Sequence, residues 1–88
     1  MLFQLGKLMA TPGAIAFCDQ HCINMISLVR KHSRGEWGDM CAADKKANDE
    51  AVRNGTRIFS AYEFPQGKIW IITESNRSVT TVLLPEEY

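Results

Sequence analysis

Arg57-Ile-Phe-Ser-Ala-Tyr-Glu-Phe-Pro-Gln-Gly-Lys-Ile-Trp-Ile-Ile-Thr73 is the stretch that decides the fold. It reads as two strands, Arg57–Phe64 and Lys68–Thr73, joined at Pro65-Gln-Gly67. Pro suits the second position of a turn, and Gly suits the left-handed residue of a bulged hairpin. A further turn at Ser75-Asn76 leads to a third strand, Ser78–Leu84. That turn sets Glu74 opposite Arg77 and Ile72 opposite Val79, a charge pair and a β-branched pair. Lys-Ile-Trp-Ile-Ile-Thr is apolar on both faces, which predicts the central strand of an antiparallel meander.

Upstream of Asn54-Gly55 the apolar period is helical instead. Thr11-Pro12 places a capping hydroxyl before a proline at the first helical position, and opens a helix to about His21. Ala14, Ile15, Phe17 and Cys18 supply its apolar surface. Asn24 caps a second helix running to His32, whose Met25, Leu28, Val29 and His32 share one face; Gly35 stops it. A third helix covers Ala42–Arg53, with Ala43, Ala47, Ala51 and Val52 as its inward side. The fold expected is α+β: three short N-terminal helices, then a three-stranded antiparallel meander. An extra edge strand over Leu2–Leu8 is the open variant.

The chain has 88 residues, ten Lys+Arg against ten Asp+Glu, and 45% hydrophobic residues. One small domain spanning 1–88 follows from that length. The balance argues against disorder and against a sequence-independent nucleic-acid binder, which carries a basic excess. No apolar run is long enough to span a membrane. Met1–Lys7 does not read as a signal peptide, and three cysteines suit a reducing cytosol, so a cytoplasmic protein is expected.

Chemistry-bearing motifs are sparse. Cys18 and Cys22 have a ligand-like spacing, but Cys41 stands alone and His32 lies on the helix's core face, so no metal is expected. The glycines form neither a P-loop nor a dinucleotide fingerprint, and no motif ties a serine to His21 or His32. The sequence predicts no enzyme and no cofactor. The doubly apolar strand carries a different message. Helices cover one sheet face; Leu2-Phe3-Leu5, a second copy (a homodimer) or a foreign protein must cover the other. Trp37, in a glycine-flanked loop, is the expected anchor for a partner protein, and Trp70 the expected core residue. Arg34 from the basic Arg30–Arg34 cluster, and Asp39, Asp44 and Asn48 from the acidic stretch, are the expected contacts around Trp37.

Gly35-Glu-Trp-Gly-Asp-Met40, Asp44-Lys45 with Ala47-Asn48-Asp49, Arg57–Tyr62 and Lys68–Tyr88 resemble a family of short bacterial proteins found on plasmids, integrative elements and phages. Its members are labelled plasmid-related proteins or, loosely, type I restriction subunit M. The second label does not fit a chain too short for a methyltransferase and its cofactor fold. The resemblance implies a mobile-element accessory protein, and by analogy an inhibitor of host defence of the anti-restriction or anti-CRISPR type. A small nucleic-acid-binding regulator or a toxin-like nuclease is the alternative.

Overall fold

The helical half closes at Asn54-Gly55, where Gly55 caps the third helix in the left-handed conformation with φ +72°. The computed structural model describes residues 1–88 as β1 (Lys7–Ala10), α1 (Pro12–Gln20), α2 (Met25–Ser33), α3 (Ala42–Asn54), β2 (Ile58–Phe64), β3 (Gly67–Thr73) and β4 (Val79–Leu83). A 3-10 turn, Pro85–Glu87, follows. The class is α+β. Thr11 and Asn24 cap α1 and α2 as the sequence predicts, accepting from the Ala14 and Ser27 amides at 3.1 and 3.2 Å.

The sheet differs from the expected meander. It has four strands in the order β1-β4-β3-β2, with β1 parallel to β4 and the other pairs antiparallel. The additional strand is Lys7–Ala10 rather than a run from Leu2, because Leu2–Leu5 is committed to the helix side. Phe3 is buried beside Trp37, Ala51 and Ile58.

Two turns also depart from expectation. Gly67 begins β3 directly opposite Phe64, so the first hairpin has a two-residue Pro65-Gln66 loop and no bulge. In the second, Ile72 lies opposite Thr81 and Thr73 opposite Thr80, two residues away from the expected register. Arg77 explains the shift. It takes φ +59°, and its guanidinium donates to the carbonyls of Ala51, Thr56, Glu74 and Ser75. The arginine therefore belongs to the loop and ties it to the end of α3, instead of pairing with Glu74 across the hairpin. A slip of two keeps every side chain on its expected face.

All three helices lie on one side of the sheet. Ala14 and Cys18 of α1 and Leu28 and Val29 of α2 pack on Tyr62, Ile69, Ile71 and Val82. Ile15, expected to be apolar surface for burial, is exposed. The α3 expectation also fails in part: Ala43 and Ala47 are exposed, while Asn48 and Ala51 are buried. Burying each Ile or Val of this layer contributes about 1.5–3 kcal/mol. The opposite sheet face has no helix over it.

Candidate functional site

Three of the five expected contact residues are engaged in holding the outer edge of β2. The Asn48 amide donates to the Phe59 carbonyl and accepts from the Phe59 amide at 3.1 Å. The Asp39 amide donates to Ala61 O at 2.7 Å, and Ala61 N–H donates to Trp37 O at 3.1 Å. An Asp39 carboxylate oxygen accepts from the Glu63 amide at 2.8 Å. Gly38, at φ +85°, lies so close to the Ala61 carbonyl and the Tyr62 ring that a side chain there would collide with both. These contacts pair the edge groups that would otherwise recruit another strand.

Trp37 is therefore corrected from presented anchor to core. It is only 3% exposed, and its indole N–H donates to Asp49 Oδ1 at 3.0 Å. The signal was present in the acidic stretch, since a buried indole needs an acceptor. Arg34 and Asp44 are exposed. Arg34 pairs with Glu36 at 2.9 Å, with both side chains more than half exposed, so the pair contributes little. Asp44 stands in the first turn of α3, where its charge suits the helix dipole. The structure thus does not gather the five residues into one surface.

A shallow groove of about 430 Å³ opens between Lys31, Gly35, Glu36, Asp39, Lys45 and the buried Trp37 and Tyr62. The Tyr62 hydroxyl donates to Glu36 O at 2.8 Å, and burial pushes that phenol up to about 12. The groove brings together opposite charges, Lys31 and Lys45 beside Glu36 and Asp39.

Beneath the helices lies a polar chain that no sequence motif announced. His32, Ser60, Thr73 and Thr80 are all fully buried. His32 Nδ1 meets Ser60 Oγ, and Nε2 meets Thr73 Oγ1 at 2.8 Å. Thr73 Oγ1 meets Thr80 Oγ1 at 2.7 Å, and Thr80 donates to the Leu5 carbonyl at 2.7 Å. The proton positions follow from the far end. Thr80 spends its only hydroxyl hydrogen on Leu5, so Thr73 must donate to Thr80 and accept from His32. The imidazole is then the Nε2–H tautomer, and Nδ1 accepts from Ser60. The rings of Phe3 and Trp37 stand 5.3 and 5.8 Å from the imidazole. Ser60 and His32 have the proximity of a nucleophile and its base, but no substrate reaches a sealed pair. Their chemistry is to hold α2, three strands and the N-terminal segment together. The visible signal was polar Ser60 and Thr73 at inward-facing strand positions.

The cysteines are equally separated. Cys18 is buried, where desolvation raises its thiol pKa; Cys22 and Cys41 are exposed. No three His, Cys, Asp or Glu side chains converge in a metal-holding group.

The remaining surface is the open face of the sheet. Trp70, expected in the core, lies half-buried here. Phe59 and Tyr88 stand edge-on to it, with ring centroids at 4.8 and 5.8 Å. Ile72 and Leu83 are buried on this same face, while Met9 at its far edge is 45% exposed. Tyr88 is 65% exposed and accepts from Arg57 at 2.6 Å. Ion pairs flank the aromatic group, Arg57–Glu74 at 3.8 Å and Lys68–Glu63 at 3.3 Å. Glu87 anchors the C-terminal turn by accepting from Thr11 Oγ1 and the Leu84 amide, and these bonds lower its pKa. An aromatic centre with a charged margin is the composition of a docking surface. No family model, curated protein or solved structure matches the chain.

Two outcomes follow from this geometry. Trp37→Ala should lower unfolding free energy by about 3–5 kcal/mol in a denaturant titration, because it opens a cavity beside Phe3 and Ile58. A change near zero would contradict its core role. Burial lowers the His32 pKa to about 4 from 6.5, so folding excludes a proton between those values. His32 should accordingly support stability fully above pH 6.5 and lose that support as pH falls toward 4, at about 1.4 kcal/mol per pH unit. Denaturant midpoints measured across this window should fall in the wild type and flatten in His32→Gln.

Proposed function

We propose that this chain is a non-enzymatic binding module that docks a partner protein on the open face of its sheet, with Trp70 at the centre. The observation that carries the reading is that face itself: Phe59, Trp70 and Tyr88 lie together over buried Ile72 and Leu83, with every helix on the other side. The aromatic anchor is thus Trp70 in place of Trp37. Arg57, Glu74, Glu63 and Lys68 form a margin whose charges orient an encounter more than they strengthen it.

The mobile-element setting implied by the resemblance supports a host defence protein as the partner, bound so that its working surface is occupied. Restriction and CRISPR effectors are the classes that fit this setting. Aromatic residues on a four-stranded sheet also favour a second reading, in which unpaired bases stack on Phe59 and Trp70. Against it, Arg57 and Lys68 are already paired with carboxylates, and the chain has no net charge to offset phosphates.

The test is affinity capture from a host lysate, followed by titration of the purified partner. Trp70→Ala should lower the melting temperature and, at a temperature where the variant is still folded, weaken binding by about 30-fold or more. Undiminished binding would remove Trp70 from the interface. A retarded single-stranded oligonucleotide whose binding weakens steeply with salt would favour the second reading. Turnover of a substrate by the purified chain would overturn both.

A further inference from the structure

The two edges of the sheet are treated differently. The outer edge of β2 is taken up by Asn48, Trp37 and Asp39. The outer edge of β1 has no such cover. Lys7 N–H donates to Ser78 O and Thr11 N–H to Val82 O, so the odd-numbered amides face β4. Leu8 and Ala10 therefore turn their N–H and C=O groups outward, and no other backbone segment meets them. The usual edge guards are missing within Lys7–Ala10: it contains no proline and no bulge, and its one lysine is its first residue. Leu8 and Met9 are apolar yet 45% exposed each.

We propose that β1 pairs with β1 of a second copy of this chain, antiparallel about a two-fold axis through Met9, joining the two four-stranded sheets into one. The register follows from the free groups. With Met9 opposite Met9 of the second copy, Leu8 and Ala10 become hydrogen-bonded pairs, each exchanging both bonds, and every outward group of the strand is satisfied. Centring on Leu8 would require Gly6, whose φ of +66° bends it out of the strand. Centring on Ala10 would require a donor from Pro12, which has none. The Met9 register also sets Lys7 opposite Thr11, so no like charges meet. Leu8 and Met9 then find apolar neighbours across the axis.

The axis runs perpendicular to the sheet, so both open faces lie on the same side. At ~4.8 Å per strand and ~3.3 Å per residue of stagger the two Trp70 positions stand about 27 Å apart, which suits a partner presenting two copies of an epitope. The pairing itself does not depend on that docking face.

Sedimentation velocity over a wide concentration range tests the proposal. The wild type and Trp70→Ala should both shift from monomer to dimer as concentration rises. Met9→Glu alone and Met9→Lys alone should each raise the dimer dissociation constant several-fold, through like charges at the axis. An equimolar mixture of the two should dimerise again. Leu8→Pro, which deletes an outward donor and leaves the odd-numbered amides intact, should also abolish the dimer. A wild type that stays monomeric overturns the proposal, whether or not its edge takes up an unrelated extended peptide. So does a dimer indifferent to both Met9→Glu and Leu8→Pro.

Discussion

One sealed imidazole organises this small domain. His32 comes from α2, Ser60 from β2, Thr73 from β3, Thr80 from β4 and the terminal acceptor from Leu5. Each hydroxyl can satisfy its neighbour in only one direction, so the whole chain of bonds is polarised from Ser60 to Leu5. Breaking one link strands a buried polar atom, at a cost of about 1–3 kcal/mol. An apolar core of similar volume would tolerate sliding; this one does not. Thr73 and Thr80 must stay opposite one another, the same β3–β4 register that the Arg77 loop requires. The Leu5 carbonyl must reach Thr80, and that draws the N-terminal segment across the helix side before it enters β1.

Everything on the far side of the sheet follows from this allocation. Phe3 and Leu5 are spent on the helix layer, with Phe3 stacked 6.2 Å from Trp37 and overlain by the Arg77 guanidinium at 5.7 Å. Tyr88, at the end of the C-terminal turn, lies against Trp70. The result is a two-layer domain with an aromatic outer face, one guarded edge and one open edge. Interaction with other chains is the role we propose for this surface.

The helices were legible because their signals are local. Thr11-Pro12, Asn24 and Asn54-Gly55 are capping sequences, and all three mark observed boundaries. The β2–β3 hairpin was legible from Pro65 and Gly67 between two apolar runs. What escaped was non-local. Parallel pairing of Lys7–Ala10 with Val79–Val82 has no turn to announce it. The loop after β3 was misplaced because the work of Arg77 is to bind carbonyls of α3 and its own turn. The burial of the two tryptophans was misjudged for a similar reason: Trp37 is buried and Trp70 is half-buried on the open face. Flanking glycines suggested an exposed Trp37, whereas they let the loop press against β2; Trp70, expected in the core, shares its face with Ile72 on the side the helices leave bare. Asn48 and Asp39, expected to contact a partner, bind backbone groups of β2.

The most direct measurement is nitrogen-15 NMR of the His32 ring in the folded protein at neutral pH. The polarised chain of bonds requires a neutral imidazole protonated at Nε2, with that proton exchanging slowly with water, and an unprotonated Nδ1 accepting from Ser60. An imidazole protonated at Nδ1, or one that titrates freely near pH 6.5, would contradict the polarised chain on which the rest of the structure depends.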